Sequence, residues 1–255
     1  MIIYETEAGR ATITINDPER RNPLSTTVMQ ELCDATRSAL ADDAVRAIVF
    51  TGAGEKAFSA GGDLSGGFVD DALGRHGERG VFADLFRLMF RGGKPTVARV
   101  NGHALAGGFG LAVACDVTVC VDDAMLGVSE IKVGLWPMMI SAVLLRAMPR
   151  KAVLELMMTG RTIDAFEAHR LGAVSRVVGR GELDAVVDEV VGSIIASSAS
   201  SLMIGRDALF GIGDRDLDSA LDRLQGGLTE IALTEDAAEG VEAFVSKRAP
   251  EWTGR

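Results

Sequence analysis

Residues 94–116 read KPTVARVNGHALAGGFGLAVACD, and residues 47–64 read AIVFTGAGEKAFSAGGDL. In both stretches a short apolar run leads into glycine. VARV (97–100) precedes Gly102, Gly107, Gly108 and Gly110, and AIVFTG (47–52) precedes Gly54, Gly61 and Gly62. Apolar runs of this length, ended by glycine, read as buried strands. Glycine at such a junction permits a tight turn and a close backbone approach. In the second stretch, Gly107 and Gly108 open a helix expected over 107–115. A helix start carries N–H groups without intrahelical partners and the positive end of the dipole. Two such turns facing each other would aim backbone donors at a developing negative charge. On spacing alone, two plain tight turns account for the pattern equally well.

Outward from these stretches, ATITI (11–15) and VTVCV (117–121) are further strands, with AMLGV (124–128) a shorter candidate. Apolar residues at Val28, Met29, Leu32, Ala35, Thr36 and Ala39 have the helical period, with Ser25 as the cap of a helix over 25–41. A helical pattern recurs at 80–91. Strands alternating with helices indicate an α/β fold. After Pro137 the chain becomes helix upon helix: 138–148 and 150–159, then a helix opened by a capping-box pattern at Asp164 and Glu167. Further amphipathic segments cover 182–199, 200–211, 215–232 and 234–246. The expected organisation is an α/β core over 1–190 and a helical region over 191–255.

The 255 residues carry 26 basic and 36 acidic side chains, a formal net charge of −10. That balance argues against a nucleic-acid partner, which needs a basic face. The uncharged stretch Val100–Cys115 is too short to span a bilayer. The opening MIIYETEAGR has no basic n-region, so a secretory signal is not expected and a cytoplasmic location is. Cys33, Cys115 and Cys120 make neither a disulfide framework nor a zinc spacing. Gly52, Gly54 and Ala57, with Asp70 and Asp71 beyond, loosely imitate a dinucleotide fingerprint. That fingerprint needs a helix opening at its glycines, and FSAGGDL is not a helix start. His76, His103 and His169 pair with neither a nucleophile nor a metal spacing.

Together with LGVSEIKVGLWP (126–137), the two glycine stretches closely resemble the enoyl-CoA hydratase/isomerase (crotonase) superfamily. The likeness runs from about residue 11 to EGVEAFVSKRAPEW (239–252). It implies a crotonase-type ββα superhelical core and a C-terminal helical trimerisation region, giving homotrimers or hexamers built as dimers of trimers. The implied substrate is an acyl-CoA thioester. Coenzyme A is then part of the substrate, and no separate cofactor or metal is expected. By the same likeness, the N–H groups of Gly62 and Gly107 form an oxyanion hole. Arg20, Arg21 and Ala60 lie at the CoA adenine, and Lys56 lies near its phosphates. Asp63 belongs with the substrate-binding set, and Phe244 and Lys247 complete the CoA site, often of a neighbouring subunit. Trp136, Met138, Met139 and the loop 64–92 are expected to line the acyl pocket.

The sequence departs from the family pattern at one catalytic position. Hydratases of the family typically carry two glutamates. Here Glu130 matches the second, while Gly110 stands at the first. Two carboxylates can orient and activate a water between them; one suffices to carry a proton from C2 to C4 of a 3-enoyl thioester. The resemblance therefore implies acyl-CoA enolate chemistry, and the single glutamate leans toward isomerisation or toward a hydratase with weak or redirected activity, with an aspartate of the 63–71 loop as an alternative source of the second acid. A non-catalytic acyl-CoA-binding protein is the rival from another class. A thioesterase or dehalogenase would need Glu130 as nucleophile. Gly110→Glu is expected to raise hydration if the helix has room for it, and to fail if another element packs closely there.

Overall fold

The computed structural model describes residues 1–64, 71, 73–213 and 215–255. Ala8 and Gly9 both take positive φ (47° and 84°), a turn whose twist suits a hairpin. It joins β1 (Ile2–Glu7) to β2 (Arg10–Ile15), antiparallel with Ile2 opposite Ile15. Ala11, Ile13 and Ile15 alternate into the core, as the period of two requires. After β3 (Pro23–Leu24), the Ser25 hydroxyl caps α1 (Thr26–Ala41) by accepting from the Val28 N–H at 3.2 Å. β4 (Ala47–Gly52) is buried at every position, the state of a central parallel strand.

A repeating unit follows. β4 is succeeded by β5 (Ala57–Ser59), β6 (Gly61–Gly62) and α2 (His76–Arg91). β7 (Thr96–Val100) passes to β8 (His103–Leu105) and α3 (Gly107–Ala114), and β9 (Val117–Val121) passes to β10 (Met125–Gly127) and α4 (Met138–Ala147). Then come α5 (Arg150–Thr159), β11 (Thr162–Asp164), α6 (Ala165–Arg170) and β12 (Arg176–Val178). Four helices close the chain: α7 (Leu183–Ile195), α8 (Ala199–Phe210), α9 (Leu217–Ala232) and α10 (Glu235–Ser246).

The long strands form one sheet in the order β1-β2-β4-β7-β9-β12, parallel from β2 onward. The short ones form a second sheet, β11-β10-β8-β5, and a two-stranded β3-β6 pair. Each long strand thus hands the chain through a corner to a short strand before a helix returns it. Gly102 makes one such corner: a Cβ there would fall 2.5 Å from the carbonyl carbon of Lys56. α3 is buried at all eight positions, so its glycines and alanines meet protein on every side.

Two sequence expectations are corrected here. Asp164 caps α6 by accepting from the Glu167 N–H at 2.7 Å, but Glu167 does not close a reciprocal box. Its carboxylate is taken by Arg161, which also holds Glu155. The boundary expected at 190/191 falls inside α7, whose Leu183, Val187, Val190 and Val191 belong to the same core as the sheet. Exposed helices begin only with α8. The C-terminal tail is fastened by Asp236, which is 1% exposed and accepts from Thr253 N, Gly254 N, Ser198 Oγ and Ser200 Oγ. Among the described residues, no single helix is long and apolar enough to cross a membrane.

Candidate active site

The two glycine turns meet. A Cβ built on Gly61 would fall 2.6 Å from Ala106 Cβ and 3.1 Å from Gly107 N, so the β6 turn rests directly on the start of α3. Gly61 is at φ +88°, which only glycine takes at ease. Ser59 fixes the approach. Its Oγ donates to Asn22 O at 2.8 Å and accepts from Gly61 N at 3.1 Å, and a Cβ on Gly108 would overlap its side chain. Asn22 is fully buried, with its amide nitrogen on Ala53 O and Ala57 O. The N–H groups beside Gly62 are engaged: Ala60 donates to Arg21 O, and Asp63 to Leu24 O. A Cβ on Gly62 itself would meet nothing within 4 Å. At that position the turn has no steric need for glycine.

Ala106 enters α3 at φ 50° and ψ −126°, a conformation that costs an L-residue about 1–3 kcal/mol. Its N–H is held by Gly127 O at 2.8 Å. The sharp reversal places Gly107 at the first helical position, where the N–H has no intrahelical acceptor. Gly62 and Gly107 both line a cavity of about 600 Å³. Its walls are largely apolar, with Leu24, Phe82, Leu135 and Trp136 among them.

Glu130 lines the same cavity from the opening of a short 3-10 helix, Glu130–Val133. Its Oε2 is buried and, among the described residues, has no hydrogen-bond partner. Burial pushes its carboxyl above the ordinary glutamate value, and the backbone N–H groups of Glu130 and Ser129 oppose that rise without cancelling it. Gly62, Gly107 and a glutamate that holds its proton more tightly than a free one thus share one cavity. Asp63 also lines it, but that carboxylate is engaged by Arg20 at 2.7 Å. Among the described residues, no group of His, Cys, Asp or Glu is placed to hold a metal ion.

The position expected to supply a second acid is closed. A Cβ on Gly110 would fall 2.6 Å from Ile140 Cβ and overlap its Cγ2. Ile140, from α4, is itself part of the cavity wall. The glycine is there because two helices touch.

This geometry can be set beside known proteins. Residues 5–255 match the family described as enoyl-CoA hydratase/isomerase. The chain belongs to that family. It is similar to a Mycobacterium tuberculosis protein named "probable enoyl-CoA hydratase", at 37% identity over 100% of this chain and 98% of the relative. It is 34% identical to the carnitinyl-CoA dehydratase of Escherichia coli over 95% of this chain and 94% of that one. The crystal structure of an enoyl-CoA hydratase from Mycobacterium smegmatis superposes with a TM-score of 0.94 at 32% identity, covering 98% of each chain. The fold is the crotonase fold.

Within this family member, the residues singled out in the sequence divide into two groups. Gly62, Asp63, Ala60, Gly107, Glu130, Trp136, Met138 and Met139 come together on the one cavity. Arg20 and Arg21 do not line it but stand beside it, through the Arg20–Asp63 pair and the Arg21 carbonyl that binds Ala60 N. Lys56 is exposed and off the cavity, its carbonyl accepting from His103 N. Phe244 and Lys247 lie at the exposed end of α10 and do not line the cavity of their own chain. Asp70 lies outside the described residues. Phe82 lies within the 64–92 segment expected at the pocket, whereas sequence reasoning missed Asn22, Ser59, Ala106 and Ile140. Of these only Asn22 had a local signal, its place in the turn-rich NDPERRNP run.

Proposed function

We propose that the chain binds an enoyl-CoA thioester and moves a proton on its enolate, with Glu130 as the single acid–base group. The observation that carries this reading is the buried, unpartnered Glu130 Oε2 in the cavity shared with the Gly62 and Gly107 turns. The two N–H groups hold the thioester oxygen as negative charge develops on it. Glu130 takes a proton from C2, the double bond shifts from C3–C4 to C2–C3, and the same carboxyl returns the proton at C4. A carboxyl raised above its ordinary value is better matched to both halves of that transfer. Ile140 in the space beside Gly110 favours isomerisation over water addition, since no second carboxylate can enter from α3.

Arg20, Arg21, Ala60 and Lys56 are assigned to the CoA moiety. Phe244 and Lys247 are assigned to the CoA site of a neighbouring subunit in a homotrimer or a hexamer. CoA enters as part of the substrate, and the reading calls on no further cofactor. It places the protein in the cytoplasm, where Cys33, Cys115 and Cys120 stay as buried thiols.

The test is a panel of 2-enoyl- and 3-enoyl-CoA thioesters followed by absorbance of the conjugated thioester and by product analysis. Conversion of 3-enoyl to 2-enoyl thioester, with slow or no consumption of crotonyl-CoA, is the expected result. Fast crotonyl-CoA hydration would replace isomerisation with the activity named for the relatives. Turnover of neither would leave an acyl-CoA-binding protein without catalysis.

A further inference from the structure

The turn 159–161, between α5 and β11, does not line the cavity, yet it touches the elements that build both halves of the site. Gly160 is at φ +64°, and a Cβ there would fall 2.9 Å from Ile131 Cγ2 and 3.1 Å from Lys132 Cε. The turn therefore rests on the two residues that follow Glu130 in its 3-10 helix. One position on, the Arg161 carbonyl packs on Gly127, where a Cβ would fall 2.9 Å from that oxygen and 3.1 Å from Thr162 Cα. Gly127 pairs with Thr162 of β11 on one side and with Leu105 of β8 on the other. Its carbonyl accepts from Ala106 N at 2.8 Å, the bond that holds the strained entry into α3 just before Gly107. One turn thus stands behind the carboxylate and behind the Gly107 N–H.

Arg161 holds that turn in place. Its Nε and Nη2 donate to Glu155 of α5 at 2.6 and 2.8 Å, and its Nη1 and Nη2 to Glu167 of α6 at 3.1 and 2.8 Å. Each carboxylate meets the guanidinium through two bonds, a geometry that fixes direction as well as distance. Those bonds hold the Glu155 and Glu167 carboxyls below the ordinary glutamate value. Thr159 Oγ1 adds a smaller clasp, donating to Glu155 O at 2.8 Å and accepting from Arg161 N at 3.3 Å. The Arg161, Glu155 and Glu167 side chains are 38%, 44% and 29% exposed, so their pairing contributes little to overall stability. What the cluster supplies is a fixed relation between α5, β11 and α6.

We infer that Arg161 is a positioning residue for the reaction: it braces the 159–161 turn, and through Gly160 and Gly127 that turn sets the Glu130 carboxylate against the Gly107 N–H. This role rests on the reading of Glu130 as the acid–base group and adds to it a residue outside the cavity. Without the guanidinium, Glu155 and Glu167 repel each other and the turn loosens. The 3-10 helix then shifts, which misplaces the carboxylate and lets water reach Oε2. A small misplacement of a reacting group is costly in turnover even where binding is kept.

The experiment sets Arg161→Met and Gly160→Ala beside wild type, with Arg176→Gln as the control that breaks an exposed pair with Glu189. Arg161→Met removes the brace, and Gly160→Ala presses a methyl on Ile131 with the brace intact, so either serves if the other fails to fold. One readout is kcat and KM for whichever enoyl-CoA thioester wild type converts. The other is titration of the Glu130 carboxyl carbon by NMR of protein labelled with 13C-glutamate, its signal identified by its loss in Glu130→Gln. In the variants kcat should fall about tenfold or more with KM kept within about twofold. Glu130 should titrate at lower pH than in wild type, nearer a free glutamate, because its oxygen gains water. Arg176→Gln should match wild type in both readouts. If the folded variants keep the wild-type kcat and the wild-type Glu130 titration, the positioning role is overturned and the catalytic reading stands. A rise in KM with kcat unchanged would overturn it as well, since the turn would then serve binding. If wild type converts no thioester, yet Glu130 titrates lower in the variants and not in the control, the catalytic reading fails and the brace stands.

Discussion

Closing a carboxylate oxygen off from water costs free energy unless donors replace the lost hydration, and Glu130 Oε2 has none among the described residues. Its folded value is therefore raised, chiefly by desolvation. A rate that needs the ionised form should rise with pH through that raised value and level off above it, seen in kcat/KM against pH. Glu130→Gln should cut turnover by about 10²-fold or more while keeping acyl-CoA affinity. The same variant should be more stable than wild type at neutral pH. A group that holds its proton more tightly when folded loses stability as pH rises from its unfolded value through its folded one, and glutamine has no such loss. Urea unfolding of both proteins on each side of the carboxylate range measures it. Gly110→Glu, by contrast, should unfold more easily than wild type by about 1–3 kcal/mol through its overlap with Ile140, and gain no hydration. The SEIKVG motif marked Glu130, and the structure puts that residue on the cavity. The reason for Gly110 was not legible, because a helical period does not say which residue thirty positions away will pack on it.

The elements that make the site are among the shortest in the chain. β6 has two residues and β5 and β8 three each, too few to show a period. The longer helices, with ten or more residues, were readable to within a few positions, as with α1 after Ser25 and α4 after Pro137. β1 escaped notice because it is an edge strand with no buried position to mark one face. Gly61 carries the geometry of the meeting turns. Gly61→Ala should cost about 1–3 kcal/mol in denaturant unfolding, from positive φ and from contact with Ala106 and Leu105 O. In the folded fraction kcat should fall more than acyl-CoA affinity, because the displaced group is the Gly62 N–H. Gly62→Ala, with open space around the added methyl, is the control that should leave stability near wild type.

At the scale of the molecule, the helices after α7 reach the core through the Phe90–Phe210 ring contact and a few polar fastenings, while Leu217, Leu228, Leu233 and Phe244 stay largely exposed. Apolar surface of that extent is what a partner subunit would cover, in line with the proposed homotrimer. One fastening is buried. The Asp236 carboxylate gathers two serine hydroxyls from the start of α8 and two backbone N–H groups from the tail, and Trp252 Nε1 donates to Ala196 O alongside. Burial alone would raise the Asp236 carboxyl, but the Ser198 hydroxyl, the Thr253 and Gly254 N–H groups and the Ser200 hydroxyl outweigh it and hold the carboxyl below its ordinary value. Its contribution is therefore complete above the unfolded aspartate value and is lost as pH falls through the depressed folded one. Asp236→Ala removes the acceptor and leaves its donors facing a gap, a change worth about 2–3 kcal/mol. The expected result is a lower urea midpoint at neutral pH, a difference from wild type that shrinks in acid, and faster proteolysis after residue 246. Equal midpoints at neutral pH would mean that the tail is held by Trp252 and its neighbours instead.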